Sequence, residues 1–376
     1  MLKNTTQTIK SLSRLTGSTV AFRPTRASSL DTLAQPGTRT EKSSSVLVEE
    51  DDLRLTKSAK FDAKANFAKR ARVKYLTNAL SLRLASLDDT PLKKSYWNTF
   101  YCSSILHKKG DQLTSKYCKN RWCLVCSRIR TAQLIKQYLP LLREWSDKQF
   151  VTLTVPNCSG DALLPTIDEM KAVFNRIREL LKKQHQRGYR DAPLVALRKL
   201  ECTFNPRRRD YHPHFHLIVR DPVMANELRT LWLQYFPTAS WDGQDVKPAD
   251  DKSVLELFKY FTKLVTSKEK EGRIISVGPL DTIFQAITGQ RTFQAFNCTT
   301  TKEASDQEAD ELAAQLEIEA TYEWEQAATD WVDKSTGELL TGYAPDDEFR
   351  KLVETKIIHA KSISVGSAPA TALRSS

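Results

Sequence analysis

Leu194-Val-Ala-Leu-Arg-Lys-Leu-Glu-Cys-Thr-Phe204, Asn205-Pro-Arg-Arg-Arg-Asp210 and Tyr211-His-Pro-His-Phe-His-Leu-Ile-Val219 follow one another without a break, and together they read as a β-hairpin. Apolar and β-branched residues mark a strand from Leu194 to Phe204, a basic turn spans Asn205 to Asp210, and Pro213 to Val219 is the returning strand. Side chains two apart on a strand share a face, so His214 and His216 project together while Phe215, Leu217 and Val219 point the other way. Two imidazoles on one face can hold a divalent ion, and the plainer alternative is a strand whose histidines face water or hydrogen-bond in the core. A turn of about six residues brings Glu201 roughly level with the histidines. It can supply a third, oxygen ligand, or pair with Arg198 or a neighbouring lysine. His212 shares the face near the strand end and is expected to support the ligands rather than join them.

Outward from the hairpin, Gln149-Phe-Val-Thr-Leu-Thr-Val155 alternates and should be a strand ending at Pro156. Helices are expected over Ile129–Trp145, Ile167–Gln186, Leu228–Phe236 and Ser253–Val265, with a short strand over Gln244–Lys247. In the last helix Val254, Phe258, Phe261 and Val265 form one buried stripe, while Glu256, Tyr260 and Lys263 fall at i, i+4 and i+7 on another face. A carboxylate, a phenol and an ammonium can there reach a common substrate, although a solvated face is the ordinary outcome of such spacing. The pattern predicts an α+β domain in which an antiparallel sheet carries the histidines on a central strand and the Tyr260 helix lies across them.

Upstream, Cys118, Cys123 and Cys126 form a C-x4-C-x2-C cluster. Closely spaced thiolates point to a structural Zn²⁺, with Cys102 as the expected fourth ligand and His107 as the alternative. Cys158, Cys202 and Cys298 sit in apolar surroundings and read as small core residues. Arg121, Arg128 and Arg130 flank the cluster with Trp122 among them, a composition suited to phosphates and to stacking on bases.

The 376-residue chain carries a formal charge of +12. Ten acids and one lysine between Thr301 and Asp330 leave the remainder strongly basic, which suits a polyanionic partner such as nucleic acid. Apolar runs are too short for a membrane span and no secretory signal is evident, so a cytoplasmic protein is expected. No P-loop motif occurs, so no P-loop helicase is expected in the chain.

The strand Phe150–Val155, the hairpin strand Tyr211–Val219 and the helix Glu256-Leu-Phe-Lys-Tyr-Phe-Thr-Lys263 resemble, in order and separation, the three motifs of rolling-circle plasmid replication initiators of the HUH endonuclease superfamily. The cysteine cluster resembles the upstream cysteine region of the same family. The resemblance covers roughly residues 100 to 300. It implies that Tyr260 is a nucleophile that nicks one strand of origin DNA, leaving a 5′-phosphotyrosine and a free 3′-OH for a host DNA polymerase. It further implies that His214, His216 and Glu201 hold Mg²⁺ or Mn²⁺, that Lys259 and Lys263 flank the tyrosine, and that Glu256 activates water for a terminating hydrolysis. The partners implied are origin DNA, duplex and single-stranded. A single-tyrosine transposase of the superfamily and a non-catalytic zinc-containing DNA-binding protein are the rival readings.

The expected division is a basic disordered tail over 1–57, a helical and cysteine-rich zinc region over 58–148 beginning with amphipathic helix from Phe61 to Leu87, a catalytic domain of the HUH nuclease fold over 149–300, and an acidic helical extension over 301–376.

Overall fold

The hairpin lies at the centre of a five-stranded antiparallel sheet in the computed structural model, which describes residues 63–109, 112–258, 266–269, 272–298, 318–355 and 357–358. The first half of the chain contributes α1 (Ala63–Ala85), α2 (Lys93–Phe100), β1 (Ile105–Lys109), β2 (Gln112–Ser115), α3 (Leu124–Glu144), β3 (Gln149–Thr154) and α4 (Gly160–Gln186). Then come β4 (Ala196–Asn205), β5 (Asp210–Val219), α5 (Pro222–Tyr235), β6 (Asp245–Pro248), α6 (Asp251–Phe258), β7 (Thr266–Glu269) and β8 (Gly272–Ser276). The last elements are α7 (Val277–Ile287), β9 (Phe293–Phe296), β10 (Ala320–Glu325), β11 (Asp330–Asp333), α8 (Asp347–Thr355) and β12 (Ile357–Ile358). The expected tail over 1–57 lies outside the described residues.

Strand order in the main sheet is β6-β3-β5-β4-β9, which makes the histidine strand β5 central. Its register with β4 pairs Glu201 with His214 and Lys199 with His216; with β3 it pairs Thr154 with His214 and Thr152 with His216. Asn205 sets that register from the turn. Its side-chain oxygen accepts from the backbone N–H groups of Arg207 and Arg208, and Arg209 closes the turn at φ 58°.

Period-two alternation divides the sheet chemically. Val151, Leu153, Leu200, Phe215 and Leu217 face one layer of helices and pack with Phe174 of α4, Trp232 of α5 and Phe284 of α7. Phe150, Leu197 and Ile218 face the other layer, against Ile135 and Leu142 of α3 and Val254, Leu257 and Phe258 of α6. On this second face the apolar packing gives way to the polar row Thr152, Lys199, Glu201, His214 and His216. The sheet therefore places its functional chemistry on the side covered by α6.

Three helices begin well before their sequence signals, α5 among them: it starts at Pro222, where the Asp221 side chain accepts from the N–H of Met224 and caps it. α4 starts at Gly160 and runs through Pro165 because Leu163 and Ile167 are fully buried, so packing outweighs the proline penalty. α3 starts at Leu124, since the Cys123 side chain accepts from the N–H of Cys126 and caps it.

A larger departure is the acidic stretch expected to be one helix. Residues 320–325 and 330–333 are instead a β-hairpin, and β10 pairs with β1 in a second antiparallel sheet ordered β11-β10-β1-β2. Trp324 and Trp331 explain the difference: Trp331 is fully buried and donates its indole N–H to the carbonyl of Ser103, so alternating aromatic burial overrides the helix preference of the neighbouring acids. A third sheet is ordered β12-β8-β7. Among the described residues no helix is long and apolar enough to cross a membrane.

Candidate functional site

Two clusters of metal-ligating side chains occur among the described residues. The first is Glu201, His214 and His216, whose ligand atoms all lie within 4.8 Å of one another. Glu201 Oε2 stands 3.5 Å from His214 Nε2 and 3.6 Å from His216 Nε2. Bonds of about 2.1 Å to a shared cation separate its donors by roughly 3.0–3.5 Å, so two nitrogens and one oxygen fit a divalent ion.

Both imidazoles are aimed by their other nitrogen. His214 Nδ1 lies 3.0 Å from the carbonyl of His212, and His216 Nδ1 lies 3.2 Å from Thr152 Oγ1. A carbonyl can only accept, so His214 Nδ1 donates to it and Nε2 is the nitrogen turned to the centre. Burial, and then the neighbouring His214, pushes the His212 imidazole down to about 4, so it is neutral at physiological pH. The His212 ring meets Asn157 Oδ1 at 2.8 Å and lies against His214, and His212 is not among the three clustered ligand residues.

Lys199 belongs to this centre: it is the neighbouring lysine that the sequence offered as a partner for Glu201, and its burial and its tie to α6 are what the sequence did not disclose. It is 4% exposed, pairs with Glu201 Oε1, and donates to the main-chain carbonyl of Glu256 at 3.2 Å. The sequence signal was its place two residues before Glu201, on the same strand face, beside a carboxylate that needs a partner. Half-buried Glu256 is thus carried by a helix whose last turn is tied to the centre, and Thr131 of α3 holds the carbonyl of Phe258 at 3.0 Å. Val254 and Phe258 are buried as the helical stripe predicted. Lys259, Tyr260, Phe261, Lys263 and Val265 lie outside the described residues.

The second cluster is Cys102, Cys118, Cys123 and Cys126. Its sulfurs approach at 3.5 Å (Cys102 to Cys126) and 3.7 Å (Cys118 to Cys126), and all four cysteines are free of disulfides. A tetrahedral Zn²⁺ with bonds of about 2.3 Å separates its sulfurs by about 3.8 Å, so the donor set fits zinc. Hydrogen bonding from Cys102 and the other thiols holds Cys118 far below the usual thiol range, while the same contacts push Cys102 and Cys123 above it. Lys74 of α1 donates to the carbonyls of Phe100 and Cys102 at 2.8 and 2.7 Å, and its burial pushes the ammonium down to about 8. His107 points elsewhere, its Nδ1 lying 3.2 Å from Thr321 Oγ1.

Trp122 corrects the expectation of a base-stacking ring beside the cysteines. It is 8% exposed and packs in the core against Tyr96 and Phe284. Arg121 reaches inward too, to the carbonyl of Gln290 and to Thr292 Oγ1, and Arg130 donates to the carbonyl of Lys119. Since Thr292 in turn accepts from the N–H of Leu200 through its carbonyl, Arg121 ties the cysteine loop to the histidine sheet.

An antiparallel sheet that presents two histidines and a glutamate, together with a four-cysteine module, defines an α+β protein with two candidate metal centres. The family described as "Replication protein" matches residues 110–225, a window that contains three of the four cysteines and the whole Glu201–His214–His216 centre. The chain is similar to the "Protein rep" of Staphylococcus aureus, 37% identical over 192 residues, which cover 43% of this chain and 79% of that protein. It is also similar to the "Protein rep" of a Bacillus species, 31% identical over 205 residues, covering 43% of this chain and 64% of the relative. The chain belongs to this plasmid replication initiator (Rep) family. No solved structure matches it.

Proposed function

We propose that the chain is a cytoplasmic enzyme that initiates rolling-circle replication of a plasmid by nicking one strand of its origin. The observation that carries this reading is the Glu201–His214–His216 centre on the central strand of a Rep-family protein, on the sheet face covered by the helix that bears Glu256.

The phenol oxygen of Tyr260 attacks the scissile phosphorus. The tyrosine–phosphorus bond forms, the bond from phosphorus to the 3′ oxygen breaks, and that oxygen leaves with the electron pair and takes up a proton to become the free 3′-OH. Lys259 or Lys263 favours the phenolate, whose ordinary pKa is ~10, or contacts the phosphate. A Mg²⁺ or Mn²⁺ held by Glu201, His214 and His216 supplies, when bound, a Lewis acid for the phosphate. Thr152 and the His212 carbonyl keep the two imidazoles aimed, and Lys199 keeps Glu201 in place. Glu256 accepts a proton from water to hydrolyse the final phosphotyrosine and end the cycle. The four cysteines would hold a Zn²⁺, which would brace the loop that Arg121 docks against the sheet. The partners are origin DNA, duplex and single-stranded, with a host helicase and a DNA polymerase that extends the 3′-OH.

The test is incubation with Mn²⁺ and a supercoiled plasmid carrying the cognate origin. Nicked circles and a covalent protein–DNA adduct are expected, and both should vanish in Tyr260→Phe. Unchanged plasmid together with intact DNA binding would overturn the catalytic reading in favour of a zinc-containing DNA-binding protein.

A further inference from the structure

With Trp122 in the core, the exposed rings of the cysteine module lie on α2. There Lys93, Trp97 and Phe100 fall at i, i+4 and i+7, and Lys94, Trp97 and Tyr101 at i, i+3 and i+7. Tyr101 ends the helix in right-handed helical conformation, so its ring continues the same surface. Trp97 is 38% exposed and Tyr101 64%. The two rings stack at 6.4 Å with 28° between their planes, and Phe100 meets both edge-on at 5.7 and 5.2 Å.

This corner is held from beneath. Thr99, on the inner side of α2, is buried 3.9 Å from Cys118 Sγ. Asn120 of the cysteine loop donates to the Ser95 carbonyl at 2.9 Å and to Thr99 Oγ1 at 3.0 Å, while Lys74 grips the carbonyls of Phe100 and Cys102. Four thiols and a buried ammonium thus fix a surface step of three aromatic rings that the core does not use. Its surroundings are basic: Lys93 and Lys94 on the helix, and Lys116 and Lys119 on the docked loop, lie at the surface, against the acids Asp88 and Asp89 that precede α2.

We infer that the Trp97–Phe100–Tyr101 corner is a stacking site for unpaired DNA bases, with the adjoining lysines on the phosphates. The inference rests on the replication-initiator reading and deepens it by assigning the cysteine module a grip on the single strand. Aromatic faces beside lysines suit a strand whose bases are free to stack, whatever their sequence. Duplex DNA hides those base faces. The centre of a protein–protein interface is depleted of lysine, which sets this surface apart from one built for a protein partner.

Fluorescence anisotropy of the full-length protein with a labelled oligothymidylate, and with a labelled origin duplex, tests this. The double variant Trp97→Ala/Tyr101→Ala should bind oligothymidylate about tenfold or more weakly, with duplex affinity within about twofold of wild type and an unchanged salt slope. Trp97→Phe/Tyr101→Phe, which keeps the rings, should retain binding. Lys93→Ala/Lys94→Ala should flatten the salt dependence for the single strand by about 1.4, roughly 0.7 for each phosphate that is no longer neutralised. The inference is overturned if the alanine variant binds oligothymidylate as wild type does, if single-strand and duplex affinity fall together, or if DNA binding is unchanged while the protein loses self-association. A wild type that binds duplex but not oligothymidylate sinks this inference alone; one that binds neither sinks the replication-initiator reading as well.

Discussion

Replacing Lys199 by methionine separates the electrostatics of the histidine centre from its packing. The Lys199–Glu201 pair is almost wholly buried, with side chains 5% and 6% exposed, and methionine keeps most of the lysine's volume. Without the ammonium, the Glu201 carboxylate keeps its two imidazole neighbours but loses its positive partner, and the carbonyl of Glu256 loses a donor. Removing one member of a buried pair costs about 3–5 kcal/mol. At roughly 2 °C per kcal/mol for a chain of this size, the metal-free melting temperature should fall by about 6–10 °C. Added Mn²⁺ becomes the missing counter-charge and no longer shares Glu201 with an ammonium, so it should raise the melting temperature more in the variant than in wild type. A ligand at a hundred times its Kd stabilises by about 2.7 kcal/mol, or about 5 °C on the same scale. Scanning calorimetry in EDTA and in Mn²⁺ measures both effects. Adding Glu201→Gln to Lys199→Met should restore much of the metal-free stability and abolish the Mn²⁺ response. The reasoning is refuted if Lys199→Met melts within about 1 °C of wild type in EDTA, or if Mn²⁺ raises both proteins equally.

Three further outcomes are expected. Metal analysis should find one zinc per chain, which Cys102→Ser should lose together with some of its melting temperature, whereas His107→Ala should keep the zinc. Titration with Mn²⁺ should show His214→Ala weakened at least ~100-fold and Thr152→Val, which removes the hydroxyl beside His216 Nδ1, weakened about 10-fold; His212→Ala should bind nearly normally, because its main-chain carbonyl is what aims His214. Tyr96→Phe removes a 2.5 Å hydrogen bond to buried Asp281, which retains Thr90 and Gln285, so calorimetry should register a loss of about 1.5–3 kcal/mol with Mn²⁺ affinity unchanged.

What the sequence disclosed and what it hid follow from the range of the forces involved. The β4–β5 hairpin was legible because alternation, a turn-forming asparagine and proline, and strand pairing act over short separations; they place Glu201 directly opposite His214. The four cysteines were legible because metal chemistry restricts which residues can serve. Lys199 was legible as a possible partner of Glu201, but its burial was not, since a lysine in a strand ordinarily reaches solvent until helices fold over that face. The helix expected beyond Thr300 gave way to strands over 320–333 because a distant partner, β1, supplied an edge that local composition does not encode. Trp122 was misplaced for the same reason: its neighbours in sequence are basic, but its neighbours in space are Tyr96 and Phe284.

The central claim is that Tyr260 attacks the phosphate served by the Glu201–His214–His216 centre. It is tested most directly by trapping the protein on a single-stranded origin oligonucleotide with Mn²⁺, digesting with nuclease and trypsin, and locating the adduct by mass spectrometry. The account predicts a nucleotide joined through its 5′ phosphate to Tyr260 in the peptide Tyr260-Phe-Thr-Lys263, and no adduct in His214→Ala. Cleavage without any adduct, or an adduct on another residue, would contradict it.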